Sequence, residues 1–329
     1  MNQVHTTVDK LIIDHQSPVH NERDHFSWSK KILDAISNNW SSRAQVKKEE
    51  IANNVFILEK DDFLTDLLPF KDHPVFTAAS DLEKRDILSC GYLAYNNKTL
   101  EIESSLIAPA CFAILNEVYP GVANDFCKKV ISETLVDESF HILITIRASQ
   151  ITKQYRNLDK LNVPKSNLIS NIRKLQSRYT EPWQKKTILL ATAIVCEVFI
   201  GGYLRSLAQA KNIQPLSQIT THAHMMDELS HHAIFKELAK LIYSAMSPTE
   251  KEFFAQVLPY PVYWLVDNDL DQWDLLLQQV NFQQGTTMLN DYRKNLKSPL
   301  EQADFSALIK LGKELGIDDI NTRILECKV

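Results

Sequence analysis

Asp137-Glu138-Ser139-Phe140-His141 and Asp227-Glu228-Leu229-Ser230-His231 are two copies of one pattern, D-E-x-x-H, in a chain of 329 residues. Each copy lies inside a long stretch with helical spacing of apolar side chains. On an α-helix, position i+3 lies about 60° from position i, so each Glu shares a face with its His. A carboxylate and an imidazole placed this way grip one metal ion together. A single copy is a weak signal, since a solvated acid beside an incidental histidine explains it. Two copies, both inside apolar helices, are much stronger.

Working outward, the first copy falls in a helix expected over 122–155 and the second in one expected over 215–245. Pro215 and Pro182 stand in the first turn of their helices, where the missing N–H costs nothing. Two further long helices are expected over 182–211 and 97–119, the latter after a weak break at Asn96-Asn97. Ser80-Asp81-Leu82-Glu83 and Ser247-Pro248-Thr249-Glu250 match the capping box. Four helices of this length with short connections predict an antiparallel bundle. The fold class is therefore all-α: a bundle core over about 97–245, an additional helix over 24–40, and shorter C-terminal helices broken at Pro259, Pro261, Pro299 and Gly316. Residues 1–22 are polar and aperiodic and read as a flexible arm, with 23–329 as a single helical domain.

Composition agrees. Seven glycines in 329 residues are far below the usual ~7%, which favours helices over hairpins. Thirty-six Lys+Arg against 41 Asp+Glu give a net charge of −5, which removes the electrostatic case for a nucleic-acid or anionic-membrane binder. The five cysteines (Cys90, Cys111, Cys127, Cys196, Cys327) are odd in number and form no C-x-x-C pair, so neither a disulfide framework nor a thiolate zinc site is expected. With no apolar leader at the N-terminus, the expected compartment is the cytoplasm.

The other two long helices should each add a carboxylate to the pair of motifs. In 182–211 that is Glu197, a lone acid in an apolar run; buried and unpaired it would cost several kcal/mol, and a cation relieves that cost. In 97–119 the choice is between Glu101 and Glu103. Glu103 shares its face with Leu106, Ile107, Ala110 and Ile114, whereas Glu101 faces with Ser104, Ser105 and Ala108, so Glu103 is the inward one. His224, one turn before Glu228, extends the stripe of Glu228 and His231, while His222 and His232 turn away from it. Asp137 and Asp227 suit the outer side of the site, where a carboxylate accepts the second ring N–H of a ligand histidine and fixes its tautomer.

The set Glu103, Asp137-Glu138-x-x-His141, Glu197, His224-x-x-x-Glu228-x-x-His231 resembles the para-aminobenzoate N-oxygenase family of non-haem diiron proteins, within the ferritin-like superfamily. The intervals are 35 residues from Glu103 to Glu138, 59 to Glu197 and 31 to Glu228. The third histidine, His224, is the most specific point, since ordinary ferritin-like di-iron proteins carry two. The resemblance covers about 80–245. It implies a ferritin-like core and two iron ions (Fe/Fe, with Fe/Mn a possible pair) held by Glu103, Glu138, His141, Glu197, His224, Glu228 and His231. It also implies O₂ activation after two-electron reduction by an external electron donor, N-oxygenation of a small aromatic amine, and a homodimer. Carboxylates and imidazoles without thiolates independently suit iron or manganese. The ligand set alone leaves open a diiron hydroxylase or desaturase acting on a C–H bond, and a non-catalytic ferritin-like iron-binding protein.

Substrate-side signals are thinner. Gly201-Gly202 suggest space for a substrate beside Glu197, a local helix irregularity or close helix packing. Arg205 and Arg293 could bind a substrate carboxylate but are read first as solvated. Phe112, Phe140, Phe199 and Tyr203 could line an aromatic pocket but are read first as core.

Overall fold

The computed structural model describes residues 22–48, 56–199, 201–296, 301 and 304–327. The 1–22 arm lies, except for its last residue, outside the described residues, as does the break at Pro299. The α-helices are α1 (Glu22–Asn38), α2 (Trp40–Arg43), α3 (Pro74–Thr77), α4 (Asp81–Ile102), α5 (Ala108–Leu115), α6 (Asp125–Arg156), α7 (Asn167–Gln176) and α8 (Pro182–Phe199). They continue with α9 (Gly201–Ala208), α10 (Pro215–Ala245), α11 (Pro248–Val257), α12 (Tyr260–Leu265), α13 (Leu270–Gln279), α14 (Gly285–Lys294), α15 (Ser306–Glu314) and α16 (Ile320–Glu326). Among the described residues the β contact is a single isolated bridge, Asp61 with Ile213.

Local chemistry sets the helix ends. Ser80 and Ser247 each form a full capping box, with Glu83 and Glu250. Asn124 caps α6 by accepting from the Cys127 N–H, and left-handed Asn157 (φ 57°) ends it. α4 and α5 pack on α6, α6 on α10, and α10 on α8 and α9, with α1 laid across α6 and α10. Ser29 of α1 donates to Glu237 of α10 (2.7 Å) and Ser37 to Glu133 of α6 (2.8 Å).

Two apolar cores fill the molecule. One contains Ile107, Ile131, Ile194, Phe235 and the C-terminal helices. The other contains Phe70, Leu93, Ala148, Leu207, Leu216 and Trp273. α4, α6 and α10 each pass from one core to the other, and α8 does so through its continuation α9. On α6 the change falls between Ile131 and Ala148, and on α10 between Leu216 and Ile234. Both D-E-x-x-H motifs lie in those intervals. The polar layer therefore sits where one core gives way to the other. The apolar α8 and α9, long enough together to cross a bilayer by length and composition, are mostly buried in this interior.

Four expectations need correction. The first bundle helix begins at Asp81 and not near 97. It runs unbroken through Asn96-Asn97, because Asn96 is buried and Asn97 bonds within the helix to Glu101 (2.9 Å). The same helix then passes through a π-helical turn, Glu103–Ile107, before continuing as α5. α7 was not foreseen; Leu168, Ile169, Ile172 and Leu175 bury its inner face. Pro261 does not break a helix, since it fits the first turn of α12, where no N–H is required, whereas Pro259 stands as expected in the break between α11 and α12.

Candidate metal centre

All seven residues singled out in the sequence meet in the polar layer, and each is buried: Glu103, Glu138, His141, Glu197, His224, Glu228 and His231. Ligand atoms of Glu103, His141, His224 and Glu228 lie within 4.8 Å of one another. The same holds for Glu138, His141, Glu228 and His231, and for Glu103, Glu138 and Glu197. The three groups overlap at Glu103, Glu138, His141 and Glu228, so they form one continuous cluster.

The two motifs interlock reciprocally. His141 Nε2 lies 3.2 Å from Asp227 Oδ2, and His231 Nε2 lies 3.3 Å from Asp137 Oδ2. Residue 137 thus faces 231 while 141 faces 227. The index rises on one helix as it falls on the other, so α6 and α10 run antiparallel with a fixed register. The opposite ring nitrogens point inward: His141 Nδ1 sits 3.0 Å from Glu138 Oε2, and His231 Nδ1 sits 2.9 Å from Glu138 Oε1. His224 presents Nε2 instead, 3.0 Å from Glu228 Oε1 and 3.3 Å from Glu103 Oε1. Three imidazole nitrogens and four carboxylates therefore converge.

Glu101, the discarded alternative, points elsewhere. Its Oε2 accepts from the N–H (3.1 Å) and hydroxyl (2.6 Å) of Ser166, just before α7. His222 and His232 are exposed, as their angular offsets require.

Three outer residues carry no signal in the sequence. Trp40 Nε1 donates to Asp137 Oδ1 (2.9 Å), and the Gln45 N–H donates to Asp227 Oδ1 (3.1 Å). Between them the Arg43 guanidinium lies 3.5 Å from Asp137 Oδ2 and 4.0 Å from Asp227 Oδ1. These residues are some 90 to 180 positions distant in the chain, and no local spacing ties them to the motifs. Their role exists only once residues 40–45 are folded against α6 and α10.

The electrostatics follow from burial and crowding. Burial and the neighbouring Glu138 push the Glu103 carboxyl well above its usual range. Burial and Glu228 do the same to Glu197. Burial opposes ionisation of Glu138 and Glu228, yet His231 holds both below the ordinary carboxylate range. Burial likewise opposes charging His141, but hydrogen bonds to Asp227 and Glu138 push it up to about 9. His231 is raised against its own burial by Glu138 and Glu228. His224 is lowered, by burial and by the neighbouring His141.

These mutual pairings do not satisfy the cluster. Glu103 Oε2, Glu197 Oε2 and Glu228 Oε2 are buried without a hydrogen-bond partner, and Glu138 Oε1 and His231 Nδ1, though 2.9 Å apart, are not aligned to bond each other. Buried polar atoms are rarely left so. Five orphaned donor atoms in one place, all oxygen or imidazole nitrogen, fit bound cations of the iron and manganese type. Buried Cys196 and Cys111 stay thiols, because burial and nearby carboxylates raise both.

A cavity of about 410 Å³ lies between the C-terminal half of α4, the end of α8 and the start of α13, within the size range of ~300–1,000 Å³ typical of ligand sites. Phe63, Tyr95, Phe199 and Trp273 give it aromatic walls. Ile102 and Phe199, also in the wall, lie one and two residues from Glu103 and Glu197. Gly91 lets Phe63 approach α4, since an added Cβ would meet the Phe63 ring at 2.9 Å. Of the aromatic candidates, Phe199 lines this cavity, while Phe112 is 55% exposed and the Tyr203 side chain lies outside the described residues. Arg205 is exposed, and Arg293 pairs at the surface with Asp271 (2.6 Å).

Fold and site together define a helical-bundle protein with a carboxylate–imidazole centre built to hold metal. The p-aminobenzoate N-oxygenase AurF family model matches residues 28–316. The chain belongs to that family. It is also similar to the 4-aminobenzoate N-oxygenase of Streptomyces thioluteus, at 25% identity over 287 residues, 84% of this chain and 85% of that protein.

Proposed function

We propose that this protein is a diiron N-oxygenase that transfers oxygen from O₂ to the nitrogen of a small aromatic amine. The observation that carries this reading is the set of buried, unpartnered carboxylate and imidazole atoms, in a chain of a family named for N-oxygenation. Glu103, Glu138, His141, Glu197, His224, Glu228 and His231 would hold two iron ions, which supply reversible electron storage for O₂ reduction. Asp137 and Asp227 fix the tautomers of His231 and His141 by accepting their Nε2–H groups. Both inward Nδ1 atoms are then free of protons and available as ligands. Arg43, Trp40 and Gln45 keep those two aspartates aligned from outside.

The aromatic cavity would seat the ring and exclude water, and its wall at Ile102 and Phe199 turns the amine toward the centre. An external reductant supplies the electrons. The chain works in the cytoplasm, a reading supported by its five free cysteines. It acts as a homodimer, supported by the exposed apolar side chains Val136, Leu143 and Ile146 along α6.

The test is direct. Protein reconstituted anaerobically with Fe(II) should hold about two irons per chain. After reduction and exposure to ¹⁸O₂, a panel of arylamines should yield labelled hydroxylamino, nitroso or nitro products by mass spectrometry. Iron-loaded protein that consumes O₂ and yields only C-oxygenated products, or none, overturns the assignment.

A further inference from the structure

We infer that the cavity selects aromatic amines whose far end carries no negative charge, so that this chain discriminates against aminobenzoates; the inference rests on the arylamine reading above. Among the described residues that line the cavity, Lys98 is the only cation, and Asp267 and Asp269 are the acids. Lys98 does not stand ready for a ligand. Its Nζ lies 2.9 Å from Asp269 Oδ2, and the Asp269 carboxylate is itself almost wholly buried.

That aspartate is held in place on several sides. Its Oδ1 accepts the Asn167 N–H at 2.7 Å, at the start of α7. Its own N–H donates to Asp267 Oδ1 at 2.8 Å, and Asp267 Oδ2 accepts from Asn167 Nδ2 at 3.2 Å. Asp269 adopts a left-handed backbone (φ 47°), which Asp and Asn tolerate better than most residues. The two carboxylates are thus built into the turn that enters α13, and the single ammonium beside them is already neutralised.

A substrate carboxylate entering this end would meet one compensated cation and two fixed anions. Like charges brought together away from water are costly, and specificity often comes from such an unfavourable contact with the wrong ligand. A neutral group avoids that repulsion and meets aromatic and aliphatic walls elsewhere. 4-Aminobenzamide and 4-aminobenzoate make the sharpest pair of probes, being nearly isosteric and differing in charge.

Calorimetry on anaerobic, iron-loaded protein should show 4-aminobenzamide binding roughly tenfold or more tightly than 4-aminobenzoate. kcat/KM for N-oxygenation should follow the same order. Asp269→Asn keeps a side chain suited to the left-handed backbone and releases Lys98. It should narrow or reverse the preference by raising aminobenzoate affinity about tenfold. Lys98→Met should widen the preference. Equal or tighter binding of 4-aminobenzoate by the unaltered protein, abolished in Lys98→Met, would show Lys98 to be a carboxylate anchor and overturn the inference. Binding is read without turnover, so a chain that prefers the amide yet oxygenates no arylamine would count against the proposed function and leave this inference standing.

Discussion

The bundle contains one half twice. α4 and α6 bring Glu103 and Asp137-Glu138-x-x-His141; α8 and α10 bring Glu197 and Asp227-Glu228-x-x-His231. Each aspartate crosses over to the histidine of the other half, at 3.2 and 3.3 Å. Two things break the symmetry. One turn before Glu228, α10 carries His224, whereas the matching position on α6 is Thr134, a buried residue whose hydroxyl turns back to the Val130 carbonyl at 3.0 Å. Glu103 opens a π-helical turn, whereas Glu197 lies within α8. The two departures meet, because His224 Nε2 is 3.3 Å from Glu103 Oε1. The repeated motif builds a carboxylate–imidazole skeleton able to hold metal, and an added imidazole beside a carboxylate in a π-turn makes its two sides chemically unequal. A π-turn at such a place is a common mark of a functional site.

The largest expected effect tests the symmetric part. Glu138→Ala and Glu228→Ala, one from each half, should each lower iron content from about two per chain to one or none and abolish oxygenation. A variant of either that keeps two irons by elemental analysis breaks the comparison. Next comes proton release. In the metal-free cluster burial and crowding favour the protonated forms of Glu103 and Glu197, and neighbouring carboxylates favour those of His141 and His231. Binding of Fe(II) should therefore expel protons, measured in a pH-stat. Because each proton opposes the metal, iron affinity rises with pH until His141 has deprotonated near 9; affinity that fell with rising pH would contradict these charge states.

The asymmetric part is tested by His224→Thr, which gives α10 the side chain that α6 already has. Iron content should stay near two per chain while product formation falls by about a hundredfold and the optical spectrum shifts. Asp137→Asn and Asp227→Asn should weaken iron binding by about ten- to a hundredfold, and by similar amounts, as equivalent positions require. A large disparity would mean that Arg43, which sits nearer Asp137 than Asp227, favours one half. The smallest effect lies outside the comparison and marks its edge. Glu101→Gln puts an amide where a carboxylate accepts two bonds from Ser166. It should cost about 1–3 kcal/mol in urea denaturation with iron content unchanged.

Much of the centre was legible because its residues are tied by helical periodicity. Glu138 with His141, and His224 with Glu228 and His231, share faces by spacing alone. Glu103 was separable from Glu101 because its neighbours Leu106, Ile107, Ala110 and Ile114 are apolar; the first three and Ile114 are all buried, while Ser104 and Ser105 are exposed. The π-turn was not read, since no residue in Glu103–Ile107 is itself a breaker; the signal lies just past it in Pro109, which has no N–H to give the preceding turn. α7 was missed between Pro164 and Pro182, where a ten-residue segment looks like a connection until its apolar face finds α8 and α12.

By itself the sequence determined the all-α class, the four helices that carry the buried cluster and the inward face of each, because periodicity and the cost of burying an unpaired acid act within one helix. Only the tertiary structure decided which aspartate serves which histidine, that Arg43 lies between the two aspartates, and that Asp269 holds Lys98 in the cavity. Those relations join segments up to 182 residues apart, and they are set by how helices cross, a matter on which no local spacing carries information.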